Sequence, residues 1–105
     1  MAQHIEVLVF VQEGCAACHD ILPIIDRISA HYGACVATRV VDAHREGIFA
    51  DTMQIQETPT VIGCQDFRPV VRLVGGNDFE QRVAGLYDSL LDGASCPVGV
   101  WKGDV

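Results

Sequence analysis

Ile5-Glu6-Val7-Leu8-Val9-Phe10-Val11, then Gln12-Glu13-Gly14, then Cys15-Ala16-Ala17-Cys18-His19, is the stretch from which the rest of the chain can be read. The first seven residues are β-branched or apolar on both faces, as in a strand buried inside a parallel sheet. Two cysteines follow a short loop, and a helical pattern begins immediately after them. Cys15 at a helix N-terminus meets free N–H groups and the positive end of the helix dipole, both of which stabilise a thiolate. Cys18 lies one turn on and on the same face. It is close enough to form a disulfide with Cys15, or to attack one that Cys15 has made with another molecule.

From Ala16 to about Tyr32 the apolar positions Cys18, Ile21, Leu22, Ile25, Ile28 and Tyr32 keep helical spacing. Pro23 cannot donate to the carbonyl of His19, so a kink is expected there, and Gly33 closes the helix. Cys35 to Val41 reads as a second strand. Asp42 is expected to cap a short helix over about Ala43 to Met53, with Ile48 and Phe49 facing inward. Thr60 to Ile62 reads as a third strand, Gly63 to Arg68 as a hairpin loop and Pro69 to Val74 as a fourth strand. Asn77 and Glu80 suggest a capping box for a last helix. That helix carries Phe79, Val83, Leu86, Leu90 and Leu91 on one stripe. Residues 92–105 have no periodicity and read as a tail.

The order is β-α-β-α-β-β-α in one domain spanning 1–105, with a core over about 5–91. The early βαβ unit requires a parallel pair with a right-handed crossover. The later hairpin is antiparallel. The expected architecture is α/β: a four-stranded mixed sheet with helices on both faces.

Composition narrows the function. The 105 residues suffice for one core, and the formal net charge of −7 repels nucleic acid and anionic membranes. No apolar stretch approaches the ~20 residues of a membrane span. Met1-Ala2-Gln3-His4 has no signal-peptide character, so the expected location is cytoplasmic. There, cysteine pairs are more often catalytic or metal-binding than structural.

Zinc in a closed site needs four ligands. Cys15 and Cys18 supply two, and no second pair of this spacing exists. The side chain of His19 points ~100° further round the helix. Cys64 lies ~16 Å along a strand from Pro59. An iron–sulfur cluster shared between two chains is the remaining metal alternative. Cys35 and Cys64 are expected to be small buried hydrophobes. His4, His19, His31 and His44 are expected at the surface. Cys96 and Trp101 are expected in a loosely docked or disordered end, the alternatives being a docking patch or a thiol that regulates through a disulfide.

Three stretches in order carry a family resemblance. Cys15-Ala16-Ala17-Cys18-His19-Asp20-Ile21-Leu22-Pro23-Ile24-Ile25-Asp26 resembles the active-site helix of thioredoxins. Ile55-Gln56-Glu57-Thr58-Pro59-Thr60-Val61-Ile62 resembles their cis-proline segment, and Val74-Gly75-Gly76 the glycine that leads into their last helix. The chain is similar to a short, glutaredoxin-sized member and covers the family pattern from about Ile5 to Leu91. The resemblance implies the thioredoxin fold and reduction of protein disulfides. Cys15 would be the nucleophile and Cys18 the resolving cysteine. Pro59 would be cis, with the Thr58 backbone pairing to an extended substrate and Gly75 or Gly76 admitting it.

No cofactor is implied, since the dithiol carries the electrons. The implied partners are disulfide-containing proteins and either a thioredoxin reductase-like enzyme or glutathione, with the chain acting as a monomer. Gly75-Gly76-Asn77-Asp78 is similar to a glutaredoxin motif, so a glutaredoxin-like donor, for example to ribonucleotide reductase, is a second reading. A non-catalytic adaptor or metal-binding protein on the same fold is a third.

The chain departs from the thioredoxin pattern at four places. Gly14 stands where Trp is usual, Ala16-Ala17 replaces Gly-Pro, Val9 takes the place of the buried acid, and Thr58 replaces Ile. The Pro of the family motif favours a strongly reducing couple. A glutathione redox titration of Cys15 and Cys18 should therefore give a potential less reducing than thioredoxin's, between ~ −200 and −270 mV. A value well below thioredoxin's would contradict this reading.

Overall fold

The computed structural model describes residues 4–91 and 96–103. Its elements are β1 (Ile5–Val11), α1 (Ala16–Tyr32), β2 (Ala37–Asp42), α2 (Gly47–Thr52), β3 (Thr60–Gln65), β4 (Arg68–Val74) and α3 (Phe79–Leu90). The sheet order is β2-β1-β3-β4, with β1 parallel to β2 and antiparallel to β3, and β4 antiparallel to β3.

The apolar run of β1 has two faces to bury, and alternate residues do so. Ile5, Val7 and Val9 pack with Ile21, Ile25 and Ile28 of α1 and Val83 and Leu90 of α3. Leu8 and Phe10 face the opposite side and pack with Ala50 of α2, Ile62 and Cys64. Helices therefore cover both faces, α1 and α3 on one and α2 on the other. On the larger side Tyr32 stacks on Tyr87, ring centroids 5.2 Å apart. Burial pushes the Tyr87 hydroxyl up to about 12, although its hydrogen bond with Thr38 pulls the other way. No described helix is long and apolar enough to cross a membrane.

Several expected details fall differently. The span of α1 does not: it runs from Ala16 to Tyr32 with Pro23 inside it, as expected. β2 begins at Ala37, because Cys35 and Val36 are spent in a turn whose N–H groups both donate to the Tyr32 carbonyl. Asp42 caps a turn before α2: its Oδ1 accepts from the N–H groups of His44 and Arg45. Those bonds, Arg45's first, hold its carboxyl below the usual range. α2 is shorter than expected, and Ile48 is 87% exposed while Phe49 is half-buried against Phe10. Ala50 and Phe49, and not Ile48, are the residues that α2 turns toward the sheet.

The hairpin turn is confined to Asp66 and Phe67, both at positive φ (50° and 69°) as a tight two-residue turn requires, so β3 runs on to Gln65. The Asn77–Glu80 capping box does not form. Asp78 is the N-cap of α3, at φ 57° and without a side-chain cap bond. His4 and His31 are half-buried, whereas His19 and His44 are exposed.

The tail is where the structure departs most from expectation. Cys35 is not a free buried hydrophobe: it is disulfide-bonded to Cys96. Val98 and Trp101 pack against the main core, and the Trp101 N–H donates to the Tyr32 hydroxyl at 3.0 Å. Residues 92–95 and 104–105 of the expected tail lie outside the described residues.

Gly63 sits where α3 presses on the sheet. A Cβ there would lie 2.7 Å from Leu90 Cδ1 and 2.7 Å from Val71 Cγ1, both in the packed core. Gly63→Val should destabilise the protein by about 1–3 kcal/mol through overpacking. Urea unfolding measures this, and an unchanged midpoint would mean that α3 has room to retreat.

Candidate functional site

The site is built where β1 ends and α1 begins. Gly14 adopts φ 80°, which a side chain such as the Trp of the family pattern would resist, and the Cys15 N–H donates to the Gln12 carbonyl at 3.3 Å. This turn leaves Cys15 in an extended conformation as the N-cap of α1. Its Sγ accepts from the Cys18 N–H at 3.0 Å, so the sulfur occupies the place of a capping oxygen. Cys15 is half-exposed, whereas Cys18 is 2% exposed on the stripe with Ile21 and Ile25. The two are disulfide-bonded, with Cα atoms 5.2 Å apart.

The expected partners from the second half of the chain arrive at the same place. Cys15 Sγ lies 3.6 Å from the Thr58 carbonyl oxygen. In the disulfide form the sulfur has no proton, so this is a contact rather than a hydrogen bond. The Thr58–Pro59 peptide bond is cis, and Pro59 is buried. Pairing of Thr60 with Val74 brings the next loop alongside, and the Gly75 N–H donates to the Pro59 carbonyl at 3.0 Å. A Cβ on Gly75 would stand 3.2 Å from Pro59 Cδ, a close approach that a larger residue would disturb. Gly76 is exposed at φ 143°. The Arg82 guanidinium fixes this loop through the carbonyls of Val74 and Asn77. Val9 is fully buried in the main core and brings no carboxylate.

Beside the disulfide runs a groove of about 360 Å³. Cys15, Cys18 and His19 line it together with Glu13, Asp42 and Arg45. Arg45 was not singled out by the sequence reading. It reaches the groove because β2 pairs Asp42 with Val11, and the Ala43 N–H then donates to the Val11 carbonyl. The parallel pairing itself is the signal that could have placed residues 42–45 beside 12–15. Among the described residues no group of three or more His, Cys, Asp or Glu side chains is placed to hold a metal ion.

Among the described residues Cys64 is the one free thiol, and it is buried on the α2 side of the sheet. Burial, and secondarily the charge of Glu6, push its pKa above the ordinary thiol value.

No family model matches the chain, and no curated protein matches it in sequence. Solved structures do. The germline-specific thioredoxin Deadhead of Drosophila melanogaster superposes with a TM-score of 0.77 at 15% identity, over 83% of this chain and 81% of that one. A malarial protein superposes with a TM-score of 0.73 at 20% identity, over 85% of this chain and 99% of that one. The fold is the thioredoxin fold, with the disulfide-bonded Cys15 and Cys18 at the start of its first helix.

With four of its five cysteines paired, the oxidised native protein should show no rapidly reacting thiol. Cys64 should alkylate at least ~10-fold more slowly than free cysteine near neutral pH, since burial limits both access and ionisation. In denaturant one thiol should react at once. Two or more reactive thiols under non-reducing conditions would show that a disulfide is open.

Proposed function

We propose that the chain is a thiol–disulfide oxidoreductase that reduces protein disulfides through Cys15 and Cys18. The observation that carries this is the capping bond from the Cys18 N–H to Cys15 Sγ. It aims a helix N-terminus at the sulfur that is also the more exposed of the pair. In the dithiol form the Cys15 thiolate keeps that bond and attacks a substrate disulfide, releasing one substrate thiol and forming a mixed disulfide. Cys18 then loses its proton and attacks Cys15 Sγ. The second substrate thiol leaves, and the two electrons of the dithiol have passed to the substrate.

Thr58 has its carbonyl beside Cys15, and an extended substrate strand can pair with the backbone there. Pro59 and Gly75, in close contact, form the floor of that approach, and Gly76 extends it. A reductase or glutathione returns the dithiol. The β1 position that resembles the family's buried acid is Val9, so the Cys18 proton leaves without a carboxylate from that strand.

Substituting each cysteine in turn tests the division of labour. Cys15→Ser should abolish insulin reduction and trap no partner. Cys18→Ser should still attack and accumulate mixed disulfides with lysate proteins. Trapping by Cys15→Ser alone would reverse the roles. Trapping by neither would favour a non-catalytic adaptor.

A further inference from the structure

The second disulfide, Cys35–Cys96, joins residues 61 apart in sequence. Cys35 sits just beyond the C-terminus of α1, at the opposite end from Cys15 and Cys18. A 17-residue helix spans about 25 Å, so the two pairs cannot exchange within one molecule. The Cys35–Cys96 pair is therefore no resolving pair for Cys15. Both its cysteines are only half-buried, so an external thiolate has access to them.

What the bond holds is a strap, residues 96–103, without helix or strand. Beyond the disulfide, it is held by the Gly99 carbonyl meeting His31 Nε2, by the Trp101 backbone N–H on the Tyr32 hydroxyl, by the edge-on contact of the Trp101 and His31 rings, and by the packing of Val98 and Trp101 on the core. Trp101 Nε1 is buried with no hydrogen-bond partner, which weighs against docking. Val100 is 55% exposed and contributes little burial. Ordering a segment without backbone pairing costs conformational entropy at every residue. These contacts are few, and one polar group among them is unsatisfied. The chain already tethers the strap to the end of α3, and the disulfide adds a second tether, to the end of α1, that holds residues 96–103 close to their docking face.

We propose that Cys35–Cys96 is a reversible redox site that clamps the strap when oxidised and releases it when reduced. A thiolate of an external dithiol attacks Cys96 Sγ. The Cys35–Cys96 bond breaks and Cys35 leaves as a thiolate that takes up a proton. The second thiol of the reductant then closes its own disulfide and frees Cys96. Two electrons pass from the dithiol to the pair. Release uncovers Tyr32 and removes one wall of the groove of about 400 Å³ between Trp101 and Ala84 and Gly85 of α3. An oxidising compartment would hold the strap down and a reducing one would lift it. The inference is independent of the chemistry proposed at Cys15.

Trp101 is the single tryptophan and reports the strap directly. The full chain carrying Cys15→Ser and Cys18→Ser would be titrated with dithiothreitol, with mass spectrometry after alkylation scoring the state of Cys35 and Cys96. On reduction of that pair, Trp101 emission should shift to the red and its quenching by acrylamide should rise at least twofold. Far-UV circular dichroism should hold, and reoxidation should reverse both changes. Cys96→Ala should show the released signal with or without reductant. Unchanged Trp101 fluorescence with both thiols shown to be free would overturn the proposal. So would loss of the helical signal together with strap release, which would make the bond a brace for the whole fold.

Discussion

The hydrogen bond from the Cys18 N–H to Cys15 Sγ ties the chemistry to the fold. A helix begins with N–H groups that have no partner within it, and one of them here is satisfied by sulfur. That sulfur stays in place only if α1 starts at residue 16. The start depends on the turn through Gly14, and the turn depends on where β1 ends. β1 is in turn fixed by pairing on both sides, with β2 and with β3. The same pairing brings residues 42–45 and Thr58 to the sulfur from opposite flanks. The disulfide is thus the point where a parallel crossover, an antiparallel strand pair and a helix cap meet.

The two cysteines differ because their positions on α1 differ. Cys15 lies before the first turn, partly open to solvent and next to a groove in which Arg45 offsets the acidic side chains of Glu13 and Asp42. Cys18 is on the buried stripe, out of reach of solvent. In the proposed reaction this asymmetry gives an order to the two attacks without a carboxylate on β1. It also fits a chain whose net charge of −7 leaves few cations to stabilise a thiolate. The helix N-terminus takes that role locally.

Much of this was legible in the residues. The all-apolar β1, the stripe from Cys18 to Tyr32 and the hairpin residues fix a mixed sheet covered on two faces, because each pattern has one way to bury itself. The motif at Cys15, the Thr58-Pro59-Thr60 segment and Gly75 pointed to residues that do converge. What escaped depends on contacts that are distant in sequence. Nothing local distinguishes Asp42 capping a turn from Asp42 capping a helix, and a helix as short as α2 has too few apolar residues to show that Ile48 lies outside. The Asn77–Glu80 spacing fits a capping box, but the left-handed Asp78 that starts α3 leaves it unformed. The Cys35–Cys96 bond is the plainest case. A disulfide across 61 residues leaves no local trace, and an aperiodic tail gives no hint that Trp101 seals the end of α1.

The most direct measurement is the pH dependence of Cys15 alkylation in the reduced protein, followed by mass spectrometry so that the other thiols do not intrude. A sulfur capping a helix N-terminus is stabilised as a thiolate, so Cys15 should alkylate faster than free cysteine at neutral pH. Its alkylation rate should level off at a lower pH than that of free cysteine. A rate that keeps rising through pH ~8.5, with Cys15 no more reactive than Cys18, would contradict the assignment of Cys15 as the nucleophile and the account built on it.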